Sequence, residues 1–261
     1  MRRDIGWSRR QILSRAIAAG AAIGLAACDR LSQASDSRSV LEAAESLTRT
    51  VQRALIGPSD ALAPEYSEAD ISKVFKPNGS TEPDDPEYQK SREDGFASWR
   101  LIVDGLVEKP QRLTLTDLRA LPSRTQITRH DCVEGWSCIG KWTGAPLGRI
   151  LGLAGLKPEA RYIVFHCADT LEETLDGTGR YYESIDLVDA FHPQTILAYD
   201  MNGGTLPIEH GAPLRLRVER QLGYKMAKYV MRVEAVDNFS SLGRGRGGFW
   251  EDRGYEWYAG I

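Results

Sequence analysis

The sequence of 261 residues has the composition of an ordinary soluble globular protein. Hydrophobic residues make up 42% of it, charged residues make up 26%, and only four cysteines are present. These proportions exclude a disordered, collagen-like or disulfide-stapled chain. Its 33 basic and 36 acidic side chains give a net charge of −3. Because binding to nucleic acid phosphates requires a basic face, this balance argues against nucleic acid as a main partner.

Residues 1–27 contain the parts of an export signal. Five arginines and one aspartate lie within the first 15 residues, and the uncharged run Ala16–Ala27 of 12 residues follows. That run is too short to span a bilayer as a helix, which needs about 20 residues. Ser8-Arg9-Arg10-Gln11-Ile12-Leu13 resembles the twin-arginine signal, which exports proteins that are already folded. An ordinary secretory signal with adjacent arginines is the alternative. Either signal predicts a periplasmic protein.

The end of this segment also resembles a bacterial lipobox. In Leu25-Ala26-Ala27-Cys28, Cys28 would be lipidated and become the first residue of the mature protein. Cleavage by the ordinary signal peptidase at the small residues, with Cys28 left unmodified, is the alternative. The lipobox interpretation predicts a membrane-anchored lipoprotein.

Residues 28–95 are predicted to form a linker and an N-terminal arm. Ser32–Ser39 is small and polar, Val40–Leu55 carries apolar residues at helical spacing, and Pro77–Pro86 is rich in turn residues. One helix cannot form a core alone. The folded domain is therefore predicted to span residues 96–261.

The pattern from Trp99 onward predicts a mixed α+β domain. Strands are expected at Trp99–Val107, Thr125–Thr128, Tyr162–His166, Thr195–Tyr199, Leu214–Val218 and Tyr229–Val236. Short helices are expected at Asp117–Leu121 with Thr116 as its cap, from Pro146 to Leu153 with Gly155 beyond it, and at Ile185–Phe191. Strands with few, short helices between them do not fit a regular β-α-β repeat.

A glycine-rich stretch, Gly243–Gly248, does not form a nucleotide-binding motif. No strand precedes it, and no helix with a lysine and a hydroxyl follows it, so neither the P-loop nor the dinucleotide fingerprint fits. A mobile or close-packed loop is predicted instead. The absence of Cys-x-x-Cys-His excludes a c-type haem.

Polar residues interrupt the apolar pattern between Thr128 and Cys138. His130 and Cys132 are two residues apart, so they share a face of an extended segment, where a soft thiolate can bind a soft or borderline metal. A buried inert thiol is the alternative for Cys132. A bond from Cys132 to Cys138 is not expected if the segment stays extended, because six residues span about 20 Å. Pairing of Cys138 with Cys167 stays open in an oxidising compartment.

A second polar group lies between Tyr199 and Lys228. Asn202-Gly203 is a turn signal, and His210 and Arg215 flank the start of a predicted strand. A histidine, an arginine and one or two lysines around strand ends can donate charge-assisted hydrogen bonds to a phosphate dianion. Basic residues that simply face solvent are the alternative.

Four segments, taken in order, resemble the molybdenum-cofactor domain of the sulfite oxidase family. They are Cys132–Ser137, Trp142–Leu147, Leu197–Gly203 and His210–Arg215, and the likeness runs from about Trp99 to the end of the chain. The resemblance implies a sulfite oxidase-type α+β fold with mixed sheets and short helices. It also implies a molybdenum–molybdopterin cofactor with one pterin per molybdenum.

The resemblance assigns roles to individual residues. Cys132 would be the thiolate ligand of molybdenum. His210 and Arg215 would hold the pterin phosphate, assisted by Lys225 or Lys228. Two further positions would contact the pterin, Asp169 and, in the arm, Asn78.

The same resemblance suggests which residues surround the substrate. Trp136 would shape the pocket wall, and Trp250–Tyr255 would supply a lid from which Tyr255 or Arg253 could reach a substrate oxyanion. Surface or core packing is the alternative for these residues.

Ser137 sets the expected substrate. Sulfite oxidases carry an arginine five residues after the metal-binding cysteine, whereas Cys-Val-Glu-x-Trp-Ser resembles the periplasmic molybdenum reductases that act on methionine sulfoxide. The resemblance therefore implies oxygen-atom transfer on a small uncharged S-oxide, with sulfite oxidation as the alternative. Because the sequence has no haem motif, electrons are expected to pass to or from a separate cytochrome, either a membrane b-type or a soluble c-type protein.

Two other classes of function are weighed against this interpretation. A zinc hydrolase could use His130, Cys132 and His166 or Cys167, although the helical zinc motif with its glutamate is absent from the sequence. A cofactor-free envelope lipoprotein that acts as an adaptor would keep the fold without the chemistry.

Overall fold

The computed structural model describes residues 61–261 together with Leu47, Thr50 and Val51. The chain divides into two units, Met1–Leu55 and Ile56–Ile261. The three described residues of the first unit are helical, as the apolar spacing predicts. The predicted export signal and Cys28 lie outside the described residues. Within the described part of the chain, no helix combines the length and the apolar character needed to cross a membrane.

The first of two sheets in the second unit contains five strands. Their bounds are β1 Leu101–Gly105, β2 Gln111–Leu113, β5 Tyr162–Thr170, β6 Arg180–Asp186 and β10 Val230–Val236. The strand order is β2-β1-β10-β5-β6. β1 and β10 pair in parallel, and the other neighbours are antiparallel.

The second sheet also contains five strands, and all of its pairs are antiparallel. Their bounds are β3 Arg124–Asp131, β4 Ser137–Pro146, β7 Ile196–Met201, β8 Gly204–Thr205 and β9 Arg215–Arg217. The order is β3-β4-β7-β8, and β9 pairs with β7.

Short helices and turns connect these strands. The helices are α1 Pro86–Glu93, α2 Leu115–Ala120, α3 Leu147–Ala154 and α4 Leu187–Ala190. Single 3₁₀ turns lie at Glu68–Asp70, Ile208–His210, Gly223–Lys225 and Glu251–Arg253. The predicted α+β class, with mixed sheets and few short helices, is confirmed.

One large apolar core joins the two sheets. Val103, Phe165 and Val233 contribute from the first sheet, and Leu197 and Leu216 contribute from the second. The helix α3 adds a face made of Leu147, Ile150, Leu151 and Ala154, whose spacing of three and four residues is that of an amphipathic helix. Each fully buried side chain of this kind stabilises the fold by roughly 1.5–3 kcal/mol.

Several predicted boundaries are wrong. Ile185 and Asp186 end β6 and do not begin a helix, because Ile185 pairs with Ile163 of the neighbouring β5. The strands β4 and β6 are absent from the sequence prediction, since the polar residues within them hide the alternating pattern. The helix α2 begins after Thr114, not after Thr116.

The arm crosses the β3–β4 hairpin. The amide of Tyr66 donates to the Ile127 carbonyl at 2.9 Å, and the amide of Ser72 donates to the Ile139 carbonyl at 3.0 Å. Phe75 is buried against the second sheet. The arm therefore packs as part of the Ile56–Ile261 unit, and it carries residues 78–80 towards the cavity described below.

The cap of α2 can be tested by a pair of threonine substitutions. The hydroxyl of Thr114 accepts a hydrogen bond from the Asp117 amide at 2.9 Å, and the Thr114 amide donates to the Asp117 carboxylate at 2.8 Å. We expect Thr114→Ala to lower the free energy of unfolding by about 1 kcal/mol in urea titrations. Thr116→Ala, on the exposed side of the helix, should leave it almost unchanged. A larger loss for the Thr116 variant would contradict this cap.

Candidate functional site

Cys132 opens the loop that joins β3 to β4. The ladder of this hairpin ends at the pair Asp131 and Ser137. The loop is closed by the Cys132 amide, which donates to the Trp136 carbonyl at 2.9 Å, and by the Gly135 amide, which donates to the Cys132 carbonyl at 3.0 Å. Gly135 has φ +85°, a conformation that glycine adopts without strain. The Cys132 thiol is half-buried, and burial raises its pKa.

A cavity of about 140 Å³ lies beside Cys132. Five of the residues that the sequence predicts for the site line it, and they come from five separate parts of the chain: Asn78, Cys132, Asp169, Lys228 and Tyr255. The remaining wall is formed by Gly79, Val133, Glu134, Leu171, Tyr181, Tyr224, Met226 and Trp250. The fold thus brings together residues that are up to 177 positions apart in sequence.

Asp169 and Lys228 form the polar side of the cavity. One oxygen of Asp169 accepts from the Ser80 hydroxyl at 2.8 Å, while its Oδ1 is buried without a partner. Burial raises the pKa of Asp169 to about 6. The ammonium of Lys228 donates to the Glu209 carbonyl at 2.9 Å and to the Ser80 carbonyl. Burial, followed by repulsion from Arg215, lowers the pKa of Lys228 to about 7.

Arg215 and His210 do not line the cavity; both are fully or nearly buried, and Arg215 is close enough to Lys228 to affect its charge. Nη1 of Arg215 donates to the His210 carbonyl at 2.9 Å, but Nε and Nη2 have no partner. Burial and the neighbouring Arg217 lower the pKa of Arg215 to about 9. Burial and Arg215 lower the pKa of His210 to about 4. A buried guanidinium that contacts no carboxylate is an unusual and costly arrangement.

These residues fit a bound anionic group. Five buried polar atoms on Asn78, Asp169, His210 and Arg215 have no hydrogen-bond partner, although buried polar groups in folded proteins are almost always paired. An anionic ligand with both donors and acceptors would satisfy them, and its charge would stabilise the cations of Arg215 and Lys228. A pterin that carries a phosphate has these properties.

Lys225 occupies a different environment from Lys228. Its fully buried Nζ lies 2.5 Å from Oε1 of Glu183 and 2.5 Å from Oε1 of Glu251. Burial lowers the pKa of Lys225, but the two carboxylates outweigh burial and the pKa is raised. Because both carboxylates hold the ammonium, the geometry favours Lys228 as the lysine that contacts a cofactor.

Trp136 and Tyr255 take separate positions. Nε1 of Trp136 donates to Glu134 at 2.9 Å, and Nζ of Lys76 lies 5.0 Å from the centroid of the indole ring. Trp136 does not line the cavity and instead braces the loop that carries Cys132. Tyr255 belongs to the wall, where its ring packs edge-on against Tyr224 at 5.3 Å.

The predicted lid segment is tied down beside this wall. Nε of Arg253 donates to Glu172 at 3.0 Å and Nη2 donates to the same carboxylate at 2.5 Å. The guanidinium is therefore occupied by a partner outside the cavity. Trp250, in the same segment, lines the cavity and packs against Tyr255 at 5.2 Å.

Sequence reasoning missed most of the apolar wall. Tyr181 on β6, Tyr224 and Met226 line the cavity, yet an apolar residue that lines a cavity has the same sequence pattern as one that fills a core. Proximity in sequence to Lys225 and Lys228 could have indicated Tyr224 and Met226, whereas Tyr181 has no such signal.

The glycine-rich stretch Gly243–Gly248 is a close-packed loop, which is one of the two forms, mobile or close-packed, that the sequence predicts. The amides of Arg244 and Arg246 donate to the carboxylate of Asp252 at 2.8 and 3.1 Å, and the Tyr182 hydroxyl donates to it at 2.7 Å. An internal carboxylate therefore takes the donors that an external anion would need.

The residues considered for a zinc site do not come together as a set of ligands in the described part of the chain. Nδ1 of His130 accepts from Nη1 of Arg217 at 3.2 Å, and Nε2 of His166 lies 2.8 Å from Glu234. Cys138 and Cys167 are both free thiols. Between residues 61 and 261, no group of three or more histidine, cysteine or acidic side chains could hold a metal ion.

Comparisons with known proteins identify the family. The family described as oxidoreductase molybdopterin binding domain matches residues 88–242. A protein from Azospira oryzae, provisionally named protein-methionine-sulfoxide reductase subunit YedZ1, is 39% identical over 97% of this chain and 88% of its own length. The protein-methionine-sulfoxide reductase catalytic subunit MsrP of Xanthomonas axonopodis is 36% identical over 54% of this chain. This chain spans about half the length of that relative, 46%.

A solved structure was also found. The sulfane dehydrogenase SoxCD from Paracoccus pantotrophus is 27% identical, with a TM-score of 0.47, over 57% of this chain and 44% of that one.

The chain belongs to the family of oxidoreductases with a molybdopterin-binding domain. It is an enzyme, a molybdopterin-dependent oxidoreductase of the sulfite oxidase family. The family and the enzyme class that the four sequence segments predict are therefore confirmed.

The depressed pKa of Lys228 makes the stability of the cofactor-free protein depend on pH. The lysine titrates near 10.5 when unfolded and near 7 when folded, so its stabilising contribution is complete above the higher value and is lost as pH falls through the lower one. We expect the free energy of unfolding of the parent, relative to Lys228→Met, to rise by roughly 1–2 kcal/mol between pH 7 and pH 8.5.

Urea titrations of cofactor-free protein at the two pH values measure this difference. Lys109→Met, at an exposed lysine, is the matched control and should track the parent. A parallel pH dependence of the parent and Lys228→Met would contradict the burial effect at Lys228.

Proposed function

We propose that this chain is the catalytic component of a cell-envelope enzyme that transfers oxygen atoms to or from small uncharged substrates. The cofactor would be molybdenum–molybdopterin, with one pterin per molybdenum. S-oxides such as methionine sulfoxide are the preferred substrates in this proposal. The names of two relatives, both protein-methionine-sulfoxide reductases, support that choice.

The chain's own residues would divide the binding of the cofactor among them. Arg215, His210 and Lys228 would hold the phosphate, because all three are buried basic residues and the first two carry nitrogens that have no hydrogen-bond partner among the described residues. Asn78 and Asp169 would contact the pterin. Cys132 would bind the metal, since a thiolate is a soft donor. When bound, the molybdenum supplies two-electron oxygen-atom chemistry, while the protein orients the cofactor and controls access to it.

The charge of the cavity is the observation that carries the substrate proposal. Among the described residues that line it, Lys228 is the one cation, and we assign that cation to the cofactor. Ser137, at the position where the sulfite-oxidising relatives have arginine, donates its hydroxyl to Asp131. A sulfite dianion would therefore lack a charged donor in the substrate space.

The basic residues that could replace the missing arginine are all paired elsewhere. Arg129 bonds to Asp131 at 2.9 Å, Lys141 bonds to Glu68, and Arg253 bonds to Glu172. Losing one charge-assisted hydrogen bond of about 2 kcal/mol would weaken sulfite binding roughly thirtyfold.

The apolar wall suits a neutral sulfur compound. The hydroxyls of Tyr181 and Tyr224 donate to the backbone carbonyls of Tyr224 and Glu256, so they are not free to bind an oxyanion. Aromatic rings and the Met226 thioether favour contact with sulfur. These contacts suit an uncharged sulfur-containing group.

The proposal includes a location and an electron partner. Insertion of a buried cofactor before export agrees with the twin-arginine signal predicted at Arg9 and Arg10, and Cys28 would anchor the protein to a membrane. A separate cytochrome, a membrane b-type or a soluble c-type protein, would exchange electrons with the cofactor. The sequence itself contains no Cys-x-x-Cys-His haem-binding motif.

Replacement of Cys132 tests the metal ligand. We expect Cys132→Ser to lose turnover with a reduced viologen dye and methionine sulfoxide, because a hydroxyl is a harder and less donating ligand than a thiolate. Cys138→Ser is the matched control. Its thiol faces the Val74 carbonyl, outside the cavity, and this variant should retain most activity. Equal turnover of Cys132→Ser and the parent would refute the assignment.

Steady-state kinetics on the molybdenum-loaded enzyme test the substrate. We expect methionine sulfoxide and dimethyl sulfoxide to be reduced with a viologen donor, and sulfite to be oxidised poorly with an artificial electron acceptor. Cys132→Ser provides the background rate for each substrate. A sulfite kcat/KM above about 10⁵ M⁻¹s⁻¹, typical of an efficient enzyme, would overturn the argument from cavity charge.

A further inference from the structure

Trp142 on β4 is the aromatic residue in contact with two buried arginines. Its side chain is fully buried. The guanidinium carbon of Arg215 lies 4.9 Å from the centroid of the indole ring, and that of Arg217 lies 4.4 Å from it. Phe75 from the arm packs edge-on against the same indole at 5.3 Å. Trp142 therefore belongs to the cluster that surrounds Arg215.

The sheet brings these residues together. The strands β4 and β9 both pair with β7, and Ala198 of β7 faces Gly144 on one side and Arg215 on the other. Arg215 and Arg217 are two positions apart on β9, so both project from the same face. Trp142 and Ala198 pack in one apolar cluster. The small side chain of Ala198 leaves room for the indole to reach the guanidinium groups on β9.

The two arginines differ in their counter-charges. Arg217 bonds to both oxygens of Glu219, at 2.9 and 2.6 Å. Among residues 61–261, Arg215 contacts no carboxylate, and its one hydrogen bond there goes to the His210 carbonyl. In the described part of the chain, Arg215 is therefore stabilised by its contacts with the negative face of the Trp142 ring and with the His210 carbonyl.

The unpaired indole nitrogen indicates that Trp142 has a role beyond packing. Nε1 of Trp142 is buried without a hydrogen-bond partner, which is costly. A phenylalanine or leucine at this position would bury no such polar group. What tryptophan adds is the most strongly negative ring face among the aromatic side chains, which attracts a guanidinium.

We propose that Trp142 is a positioning residue for the cofactor: its ring face holds the guanidinium of Arg215 in the orientation that receives the pterin phosphate. Without that face, repulsion from Arg217 would turn the Arg215 guanidinium away from the direction in which its two unpaired nitrogens now point. The proposal rests on the assignment of Arg215 to the phosphate in the proposed function. It does not depend on the identity of the substrate.

The first experiment measures cofactor retention by the holoenzyme. Molybdenum and pterin contents are followed after dilution and gel filtration of the parent, Trp142→Phe and Trp142→Leu. We expect the cofactor to be lost roughly tenfold faster from Trp142→Leu, because a desolvated cation–π contact is lost. Trp142→Phe, which keeps a weaker ring face, should lie between the two.

A tryptophan elsewhere in the core is the matched control. Trp99 is equally buried, and its indole nitrogen donates to the Met231 sulfur at 3.3 Å. Trp99→Phe should retain the cofactor as the parent does. If the Trp99 and Trp142 variants lose cofactor equally, the loss reports general destabilisation and the proposal is wrong.

A double-mutant cycle separates positioning from packing. If Trp142 acts through Arg215, adding Trp142→Phe to Arg215→Met should cause no further cofactor loss. Additive losses would overturn the proposal and would show that Trp142 packs or contacts the cofactor independently.

Inorganic phosphate, added to cofactor-free protein, provides a readout that needs no cofactor. Phosphate should raise the Tm of the parent and of Trp99→Phe, and should raise that of Trp142→Phe by less. An equal shift in all three proteins would overturn the role of Trp142. If phosphate fails to stabilise the parent and Arg215→Met still retains cofactor, the assignment of Arg215 itself fails, irrespective of the enzyme's substrate.

Discussion

The buried charge of Arg215 is the constraint on which the rest of the site depends. Among the residues that the structure describes, its guanidinium contacts no carboxylate, and two of its nitrogens lack partners. A cation in such surroundings is stable only if the fold supplies negative potential or a ligand supplies negative charge. Trp142 and the His210 carbonyl supply the first. Burial lowers the pKa values of Lys228 and His210, and repulsion from Arg215 lowers both further, so the cofactor-free protein buries several basic groups that an anion would stabilise.

The side of the site that carries Cys132 depends on a separate element, the β3–β4 hairpin. Its five-residue loop places Cys132 beside the cavity, and the hydrogen bond from Trp136 to Glu134, a residue of the cavity wall, braces the loop. The arm passes over this hairpin and contributes Asn78 and the Ser80 carbonyl that Lys228 contacts. The residues proposed to bind the cofactor therefore come from segments that are separate in sequence but are fixed to one another by backbone hydrogen bonds.

A second buried ionic group supports the apolar wall. Lys225 joins Glu183 on β6 to Glu251 in the turn that carries Trp250 and Tyr255. Removing one partner of such a group would leave a buried charge uncompensated, typically at a cost of about 3–5 kcal/mol. This ion group keeps the aromatic residues in place without entering the cavity. The cavity lining itself includes Glu134, Asp169 and, as its one basic residue within the described part of the chain, Lys228.

The sequence by itself determined the α+β class and the family and named most of the proposed ligands, because the residue types and spacing within short segments such as Cys132–Ser137 can be read directly from the chain. Element boundaries failed where pairing decides structure, as at Ile185 in β6, since a residue's own pattern does not contain its partner strand. Only the tertiary structure separated Lys228 from Lys225, and it alone placed Trp142 against Arg215. Both lysines have the same chemistry in sequence; which one is neutralised depends on carboxylates that are 42 and 26 positions away.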